Sequence, residues 1–256
     1  MNAATRLKSS RSVAAVAGPT PSPEPEVAAL PSDAQIHERL YLALLDQRLT
    51  PGTRLVEDEL GQAFGVSRTR IRQVLIRLAN EQLVTLVPNA GARVAEPTPD
   101  DAREIFEARL LIEPALVAGF IQVASATALR ALQQWIVEEE RARADDRRHD
   151  AIRTAGAFHL HIAAHAGNAT LARVMHALVP RTSLVLLRYG PQQISEPVAA
   201  GGCDCHEHRT ILAALKLRDT AAAVQATKQH LQRLKSQLSF AAKPPAGRGL
   251  AELLRL

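Results

Sequence analysis

The residues with the clearest chemical potential lie close together in one short segment. Ser67 is followed by Arg68, Thr69, Arg70 and Arg72. Basic side chains at the start of a helix oppose its dipole and cost stability, whereas free amides and arginines at such an N-terminus can bind phosphates. Arginine can also contact the edge of guanine with both arms of its guanidinium group. The segment therefore predicts a recognition helix that enters the major groove of DNA by its N-terminus; the alternative is an ordinary basic surface helix.

The surrounding sequence predicts the other elements of a winged helix-turn-helix. Ser32 is a suitable N-cap for a first helix, and a second short helix over 55–64 would end at Gly65, a residue type that often terminates helices. Residues 83–86 and 92–95, on either side of the turn sequence Pro-Asn-Ala-Gly, predict a two-stranded hairpin. Three short helices followed by a hairpin favour the DNA-binding interpretation over a plain surface helix.

Composition favours a helical protein with an anionic partner. Of 256 residues, 46% are hydrophobic but only 3% are aromatic, which is typical of helices packed on helices. The formal net charge of +5 favours association with anions such as DNA. No apolar run reaches about 18 residues, so no membrane-spanning helix is expected. Cys203 and Cys205 are too close together to staple a domain, so we expect a cytoplasmic protein.

The chain divides into four predicted regions. Residues 1–32 are rich in Ser, Ala and Pro and predict a disordered tail. Residues 33–96 hold the winged helix-turn-helix, residues 97–240 predict a helical domain, and residues 241–256 form a C-terminal tail. Helices of the second domain are expected at 99–123, 126–147, 150–167, 169–189, 204–217 and 219–240. The predicted fold class is mainly α: a winged helix-turn-helix of three helices plus a β-hairpin wing, followed by an all-α antiparallel helical bundle of about six helices.

Residues 34–95 resemble the winged helix-turn-helix of the GntR family of regulators. The resemblance rests on the ungapped stretch LTPGTRLVEDELGQAFGVSRTRIR at 49–72 and on its continuation to residue 84. It implies DNA contacts from a defined set of residues: backbone and base edges from Arg68 and Arg72, phosphates from Ser67 and Thr69, and the minor groove from a wing that Gly91 allows to approach.

This chain departs from many relatives at two positions of the recognition helix. Arg70 stands where they have Pro, and Gln73 where they have Glu. Both changes raise the positive charge, so Arg70 is expected to join the DNA contacts. The operator sequence therefore does not carry over from relatives.

Residues 98–240 resemble the FCD ligand-binding domain of the FadR subfamily, through short motifs in a characteristic order at 109–113, 158–159, 167–168, 207–209 and 230–231. In many such domains one Asp and three His hold a divalent metal, and these histidines map to His159, His208 and His230. Each lies on an apolar helix face, which suits a Zn²⁺- or Ni²⁺-like ion with positions open for water or ligand. The alternative is three buried histidines that hold no metal.

The acidic ligand of the resembled domain falls on Ala155, one turn before the first histidine. Its loss removes one bond and one neutralising charge. Asp150, His161 and His165 lie nearby in sequence and are candidates to replace it. A separate metal site at Cys203-Asp-Cys205 is a less favoured alternative, because the glycines before it predict a loop.

The resemblance also implies an effector. Arg109 matches an arginine that pairs with the carboxylate of an organic acid in the resembled domain. The alternative is an intrahelical salt bridge to Glu113, four residues further along the helix. Asn168, Arg181 and Arg188 are further candidates for the effector pocket.

Together these features predict a homodimer that binds a pseudo-palindromic double-stranded DNA operator and responds to a small carboxylate effector. The resemblance implies repression that the effector relieves, with activation as the alternative. One alternative is a DNA-binding dimer whose helical domain senses nothing. Another is a three-His metal hydrolase, which is disfavoured because no general base is placed beside the histidines.

Overall fold

The structure, a computed structural model, describes residues 30–46, 48–88, 90–191 and 204–240. The side chains of residues 204 and 205 are not included in the description. The predicted C-terminal tail, the N-terminal tail up to residue 29, and the Cys203-Asp-Cys205 side chains therefore lie outside the described residues.

The N-terminal domain consists of three helices and a small sheet. The helices are α1 (Asp33–Leu45), α2 (Glu57–Phe64) and α3 (Arg68–Asn80), and the strands are β1 (Arg54–Leu55), β2 (Val84–Val87) and β3 (Gly91–Val94). Strand β3 lies between β1 and β2 and pairs antiparallel with both. The predicted hairpin wing is confirmed, and β1 adds a short third strand that was not predicted.

Local capping explains where these helices begin and end. The Ser32 hydroxyl accepts a hydrogen bond from Gln35 N (3.2 Å), and the Gln35 side chain accepts one from Ser32 N (2.8 Å), which forms a capping box. Helix α2 ends at Gly65, whose φ of +66° favours glycine. The Ser67 side chain then caps α3. The chain therefore passes from α2 into α3 through a short turn that its own residues stabilise.

One buried apolar cluster forms the core of this domain. Leu40 of α1, Leu75 of α3 and Leu55 of β1 are completely buried in it. Burying one such leucine contributes roughly 2 kcal/mol. Leu184, from the helical domain, lies in the same cluster. The two domains therefore share part of a core.

The second domain contains six helices in the described part of the chain, as predicted. They are α4 (Pro99–Val123), α5 (Ala126–Ala144), α6 (Arg148–Ala164), α7 (Ala169–Tyr189), α8 (Asp204–Leu217) and α9 (Thr220–Ser236). Helix α4 packs chiefly against α9, and α5 packs against α6 and α8. None of the described helices is long and apolar enough to span a bilayer.

Three of these helices end earlier than predicted, for local reasons. Asp146 and Gly167 adopt φ values of +51° and +74°, and these left-handed residues follow the ends of α5 and α6. Beyond the end of α9, Ser239 N donates a hydrogen bond to Tyr189 O (2.8 Å), which draws the chain toward α7.

Helix α7 contacts both domains. On one side, Leu184 lies in the core of the N-terminal domain, and Arg188 Nη1 donates to Glu96 Oε2 (2.6 Å). On another side, Thr182 and Ser183 line a cavity inside the bundle. One helix therefore connects this cavity with the N-terminal domain.

Candidate DNA-binding surface and histidine centre

Helix α3 has one buried face and one basic exposed face. Its buried residues are Ile71, Val74, Leu75 and Leu78. The opposite face carries exposed Ser67, Arg68, Thr69 and Arg72, with Arg70 half-buried beside them. The first turn holds no acidic residue. The N-terminal amides and the arginines can therefore act together on one anion.

Arg68 and Arg72 differ in their side-chain contacts. Arg68 contacts Glu57 Oε2 (3.2 Å) and Asp58 Oδ1 (3.1 Å) in the first turn of α2. Arg72 is exposed, and among the described residues it forms no hydrogen bond or ion pair. Arg72 can therefore bind a phosphate without losing a partner. Arg68 would have to give up its contacts with two carboxylates to bind a phosphate.

Arg70 is directed toward α1. Its Nε donates to Asp33 Oδ1 (2.7 Å), and its Nη2 donates to Pro31 O (2.7 Å). This contact was not predicted from the sequence. It gives Arg70 an intramolecular role, because the side chain holds α3 against the start of α1.

Gly91 is required by the sheet itself. It begins β3 at a φ of +83°, and a Cβ at this position would lie 2.3 Å from Leu55 O. Strand β1 approaches so closely that only glycine fits there. Any contribution of Gly91 to a DNA contact comes in addition to this structural role.

His159 of α6, His208 of α8 and His230 of α9 converge in the core of the helical bundle. Nε2 of His159 lies 3.2 Å from Nε2 of His230 and 3.3 Å from Nε2 of His208. All three side chains are buried, and one nitrogen of each lies within 4.8 Å of those of the other two. The structure therefore brings together the three histidines singled out from the sequence.

A glutamate lies behind each imidazole. Nδ1 of His159 is 2.7 Å from Glu113 Oε2, Nδ1 of His208 is 2.6 Å from Glu139 Oε2, and Nδ1 of His230 is 2.9 Å from Glu207 Oε2. These carboxylates were not predicted as part of the site, and Glu113 was considered only as a partner of Arg109. They orient the three rings so that the Nε2 atoms face one another.

The protonation states of these pairs follow from their charges. Burial raises the pKa of Glu139, but His208 and Arg143 outweigh this effect and lower the pKa to about 2. The pKa values of Glu113 and Glu207 are lowered in the same way, because the effects of the histidine and the arginine beside each glutamate outweigh burial. Burial lowers the pKa of His159 to about 3, against the opposing effect of Glu113. Because ionised carboxylates only accept hydrogen bonds, each Nδ1 carries a proton, and in the neutral form of each ring Nε2 presents a lone pair.

Three lone pairs at these separations repel one another unless a cation lies between them. When the rings are neutral, hydrogen bonds cannot connect the three Nε2 atoms, because a neutral imidazole whose Nδ1 is protonated has no second N–H. Imidazole ligands that donate their other nitrogen to a carboxylate are characteristic of protein zinc sites. The residues present therefore fit a divalent metal such as Zn²⁺ or Ni²⁺ with three protein ligands.

No described residue replaces the expected acidic ligand. Ala155 lines the cavity beside the histidines. Asp150 pairs with neighbouring surface arginines, His161 contacts a backbone carbonyl of α5, and His165 is exposed. None of these three candidate side chains joins the cluster. The histidine centre therefore has an open side toward the cavity.

The cavity beside the histidines has a partly basic lining. Its polar lining includes the three histidines with Arg109, Arg143, Arg148, Thr182 and Ser183. Arg109 Nε donates to Glu113, so the intrahelical ion pair is present. Arg109 Nη2 is buried and has no hydrogen-bond partner among the described residues. The ion pair thus leaves one donor available to a ligand.

Asn168 and Arg188 are not among the described residues that line this cavity. Asn168 Oδ1 accepts a hydrogen bond from Leu171 N (3.0 Å), which caps α7 at the surface. Arg188 is engaged with Glu96 at the contact between the domains. Arg181 lines a separate cleft between the domains. The positions of these side chains give no support to their expected roles in the effector pocket.

Two protein-family models match the chain. The model for bacterial regulatory proteins of the gntR family matches residues 33–94, and the FCD domain model matches residues 104–233. The solved structure of E. coli McbR/YncC has a TM-score of 0.68 at 23% identity, over 78% of this chain and 93% of that chain, so the fold is shared.

Similar proteins are transcription regulators. The HTH-type transcriptional repressor GlaR of Escherichia coli (strain K12) is 29% identical over 195 residues, which cover 71% of this chain and 84% of that protein. The uncharacterized HTH-type transcriptional regulator YdhC of Bacillus subtilis (strain 168) is 29% identical over 108 residues, and the chain spans only 48% of its length. The chain belongs to the GntR family of bacterial regulatory proteins, in the FadR subfamily that carries an FCD domain, and is a DNA-binding transcription regulator rather than an enzyme.

Proposed function

We propose that this regulator is a homodimeric repressor whose FCD cavity holds a divalent metal and a small organic acid, and that acid binding releases the operator. The observation that carries the proposal is the histidine centre, in which three Nε2 lone pairs converge at the edge of an arginine-lined cavity. Similarity to GlaR, which is named as a repressor, supports the direction of regulation.

The residues around the centre define how such an acid would be held. His159, His208 and His230 would hold the metal through Nε2. When bound, the ion supplies positive charge and open coordination positions that attract a carboxylate oxygen. Arg109 offers its buried Nη2 to the same carboxylate. Ala155 places no competing carboxylate on this side, so the ligand's own carboxylate can take that position.

Helix α7 supplies a route from the cavity to DNA. Thr182 and Ser183 would contact the ligand, while Leu184 and Arg188 contact the N-terminal domain. An effector changes DNA affinity only if it binds the free and DNA-bound arrangements with different free energies. A displacement of α7 on acid binding would provide that difference, because it moves side chains in both domains.

Dimerisation would place two recognition helices on one operator. The half-sites of such an operator repeat with the two-fold symmetry of the protein. In each subunit, Arg68 and Arg72 would contact phosphates and base edges, and the amides at the start of α3 would add phosphate contacts. Arg70 would contribute indirectly, by holding α3 to α1.

The proposed metal site is tested by adding metal to the metal-free protein and by replacing one of its histidine ligands. After removal of bound metal with a chelator, addition of Zn²⁺ or Ni²⁺ to the full chain should raise its melting temperature, with about one ion bound per chain by mass spectrometry. His208→Ala should lose both effects, whereas His206→Ala, which alters an exposed neighbour on the same helix, should retain them. If neither ion stabilises the unchanged protein, the metal is not part of its function.

A further inference from the structure

The charges around the cavity narrow the class of acid. Resting on the proposed function, we propose that the cavity binds a small dicarboxylate, with one carboxylate at the histidine centre beside Arg109 and the other at Arg148.

One face of α6 leads from the histidine centre to Arg148. Arg148, Ile152, Ala155 and His159 all line the cavity. Their spacing along the chain places them on one side of the helix. The Cα atoms of Arg148 and His159 are about 16 Å apart along the helix axis, given the rise per residue. The small side chain of Ala155 leaves the middle of this face open. Because the arginine side chain covers part of the distance, the remaining gap suits a ligand of a few carbons.

Arg148 carries a positive charge that no described carboxylate balances. Its Nε donates to Pro191 O (3.0 Å) and its Nη2 to Leu186 O (2.7 Å), while its Nη1 makes no hydrogen bond with a described residue. Burial lowers the pKa of Arg148, and no acidic neighbour opposes that effect. A partly buried cation without an anionic partner costs free energy. A ligand carboxylate bound at Nη1 of Arg148 would offset that free-energy cost.

The other two arginines of the cavity are already paired. Arg109 pairs with Glu113, and Arg143 pairs with Glu139 (2.8 Å). Arg148 is therefore the arginine of the cavity that has no carboxylate partner among the described residues, and a carboxylate held at the histidine centre does not supply one. A monocarboxylate would leave it unmatched, whereas a dicarboxylate would neutralise it.

The inference is tested by isothermal titration calorimetry on the zinc-loaded full chain with matched acids. Succinate, glutarate and adipate are compared with butyrate, pentanoate and hexanoate, so that each pair differs only in the second carboxylate. We expect the best dicarboxylate to bind at least about tenfold more tightly than its partner, the effect of one charge-assisted contact.

Substitutions in α6 test whether Arg148 binds the second carboxylate of the ligand. Arg148→Gln should remove the preference for dicarboxylates while leaving the affinity for monocarboxylates unchanged, which also shows that the cavity is still folded. Arg148→Lys should retain part of the preference. Arg153→Gln is the matched control, because Arg153 lies on the same helix and pairs with Asp46 (3.0 Å) at the contact with α1.

Two results would overturn the inference. Equal affinities within each matched pair, or a preference that survives in Arg148→Gln, would exclude the second carboxylate site while leaving an acid-binding cavity in place. Binding of neither series to the zinc-loaded protein would overturn both this inference and the proposed effector function.

Discussion

At the scale of single residues, each glutamate of the centre pairs a histidine with an arginine. Glu139 accepts hydrogen bonds from His208 and from Arg143, so one carboxylate sets the tautomer of the ring while its own charge is balanced. Glu113 does the same for His159 and a second arginine. Both of these arginines line the cavity. The histidine centre and the cavity are therefore parts of one hydrogen-bonded network.

Replacement of Glu139 tests this network. In Glu139→Gln the side-chain oxygen can still accept the Nδ1 hydrogen bond of His208, but the negative charge is lost. We expect zinc affinity, measured by competition with a chromophoric chelator, to fall roughly 10- to 100-fold. Glu140→Gln is the matched control, because Glu140 pairs with exposed Arg209 (2.7 Å). Similar zinc affinities in the two variants would contradict the role given to Glu139.

The histidines could be predicted from the sequence, but their glutamates could not. His159, His208 and His230 fall on apolar faces, which is a local signal. Glu139 lies in a charged stretch of α5. From the sequence alone, a buried glutamate in such a stretch cannot be distinguished from a solvent-exposed one. Only the packing of α5 against α8 shows that it meets a histidine. The environment of Arg148 is equally non-local, because it depends on where α7 ends.

At the scale of elements, helix α3 carries two kinds of arginine, since Arg70 contacts Asp33 whereas Arg72 has no partner among the described residues. The position of this helix could be predicted because Gly65 and Ser67 act through neighbouring residues. The contact of Arg70 with Asp33 could not, since it joins the start of α3 to the start of α1. Strand β1 was missed for a similar reason: so short a segment shows no periodicity, and only its pairing with β3 defines it.

Single replacements in α3 distinguish these two arginines. Arg72→Ala should weaken operator binding and reduce the slope of log affinity against log salt by about one, because one phosphate contact is lost. Arg70→Ala should leave that slope unchanged and lower the free energy of unfolding by less than about 1 kcal/mol, as expected for an exposed ion pair. Fluorescence anisotropy at several salt concentrations and chemical denaturation measure both quantities. The reverse pattern would show that Arg70 is the DNA contact.

At the scale of the whole molecule, the two domains meet through packed and polar contacts. Leu184 is buried in the N-terminal core, the Tyr189 hydroxyl donates to Pro97 O (2.7 Å), and Tyr41 lies near His176 O (3.4 Å). Close-packed interiors transmit displacements instead of absorbing them. In the proposed mechanism, a shift of α7 at the cavity would therefore also move its contacts with the N-terminal domain.

The central claim, that the cavity controls the operator, is tested most directly by operator affinity with and without acid. The zinc-loaded full chain is titrated onto an operator fragment selected from random DNA by the protein itself. The titration is repeated with the dicarboxylate that binds most tightly in calorimetry, at a saturating concentration. We predict a loss of operator affinity of about 5- to 150-fold, the usual range of allosteric coupling. Unchanged operator affinity while calorimetry shows the cavity filled would contradict the claim.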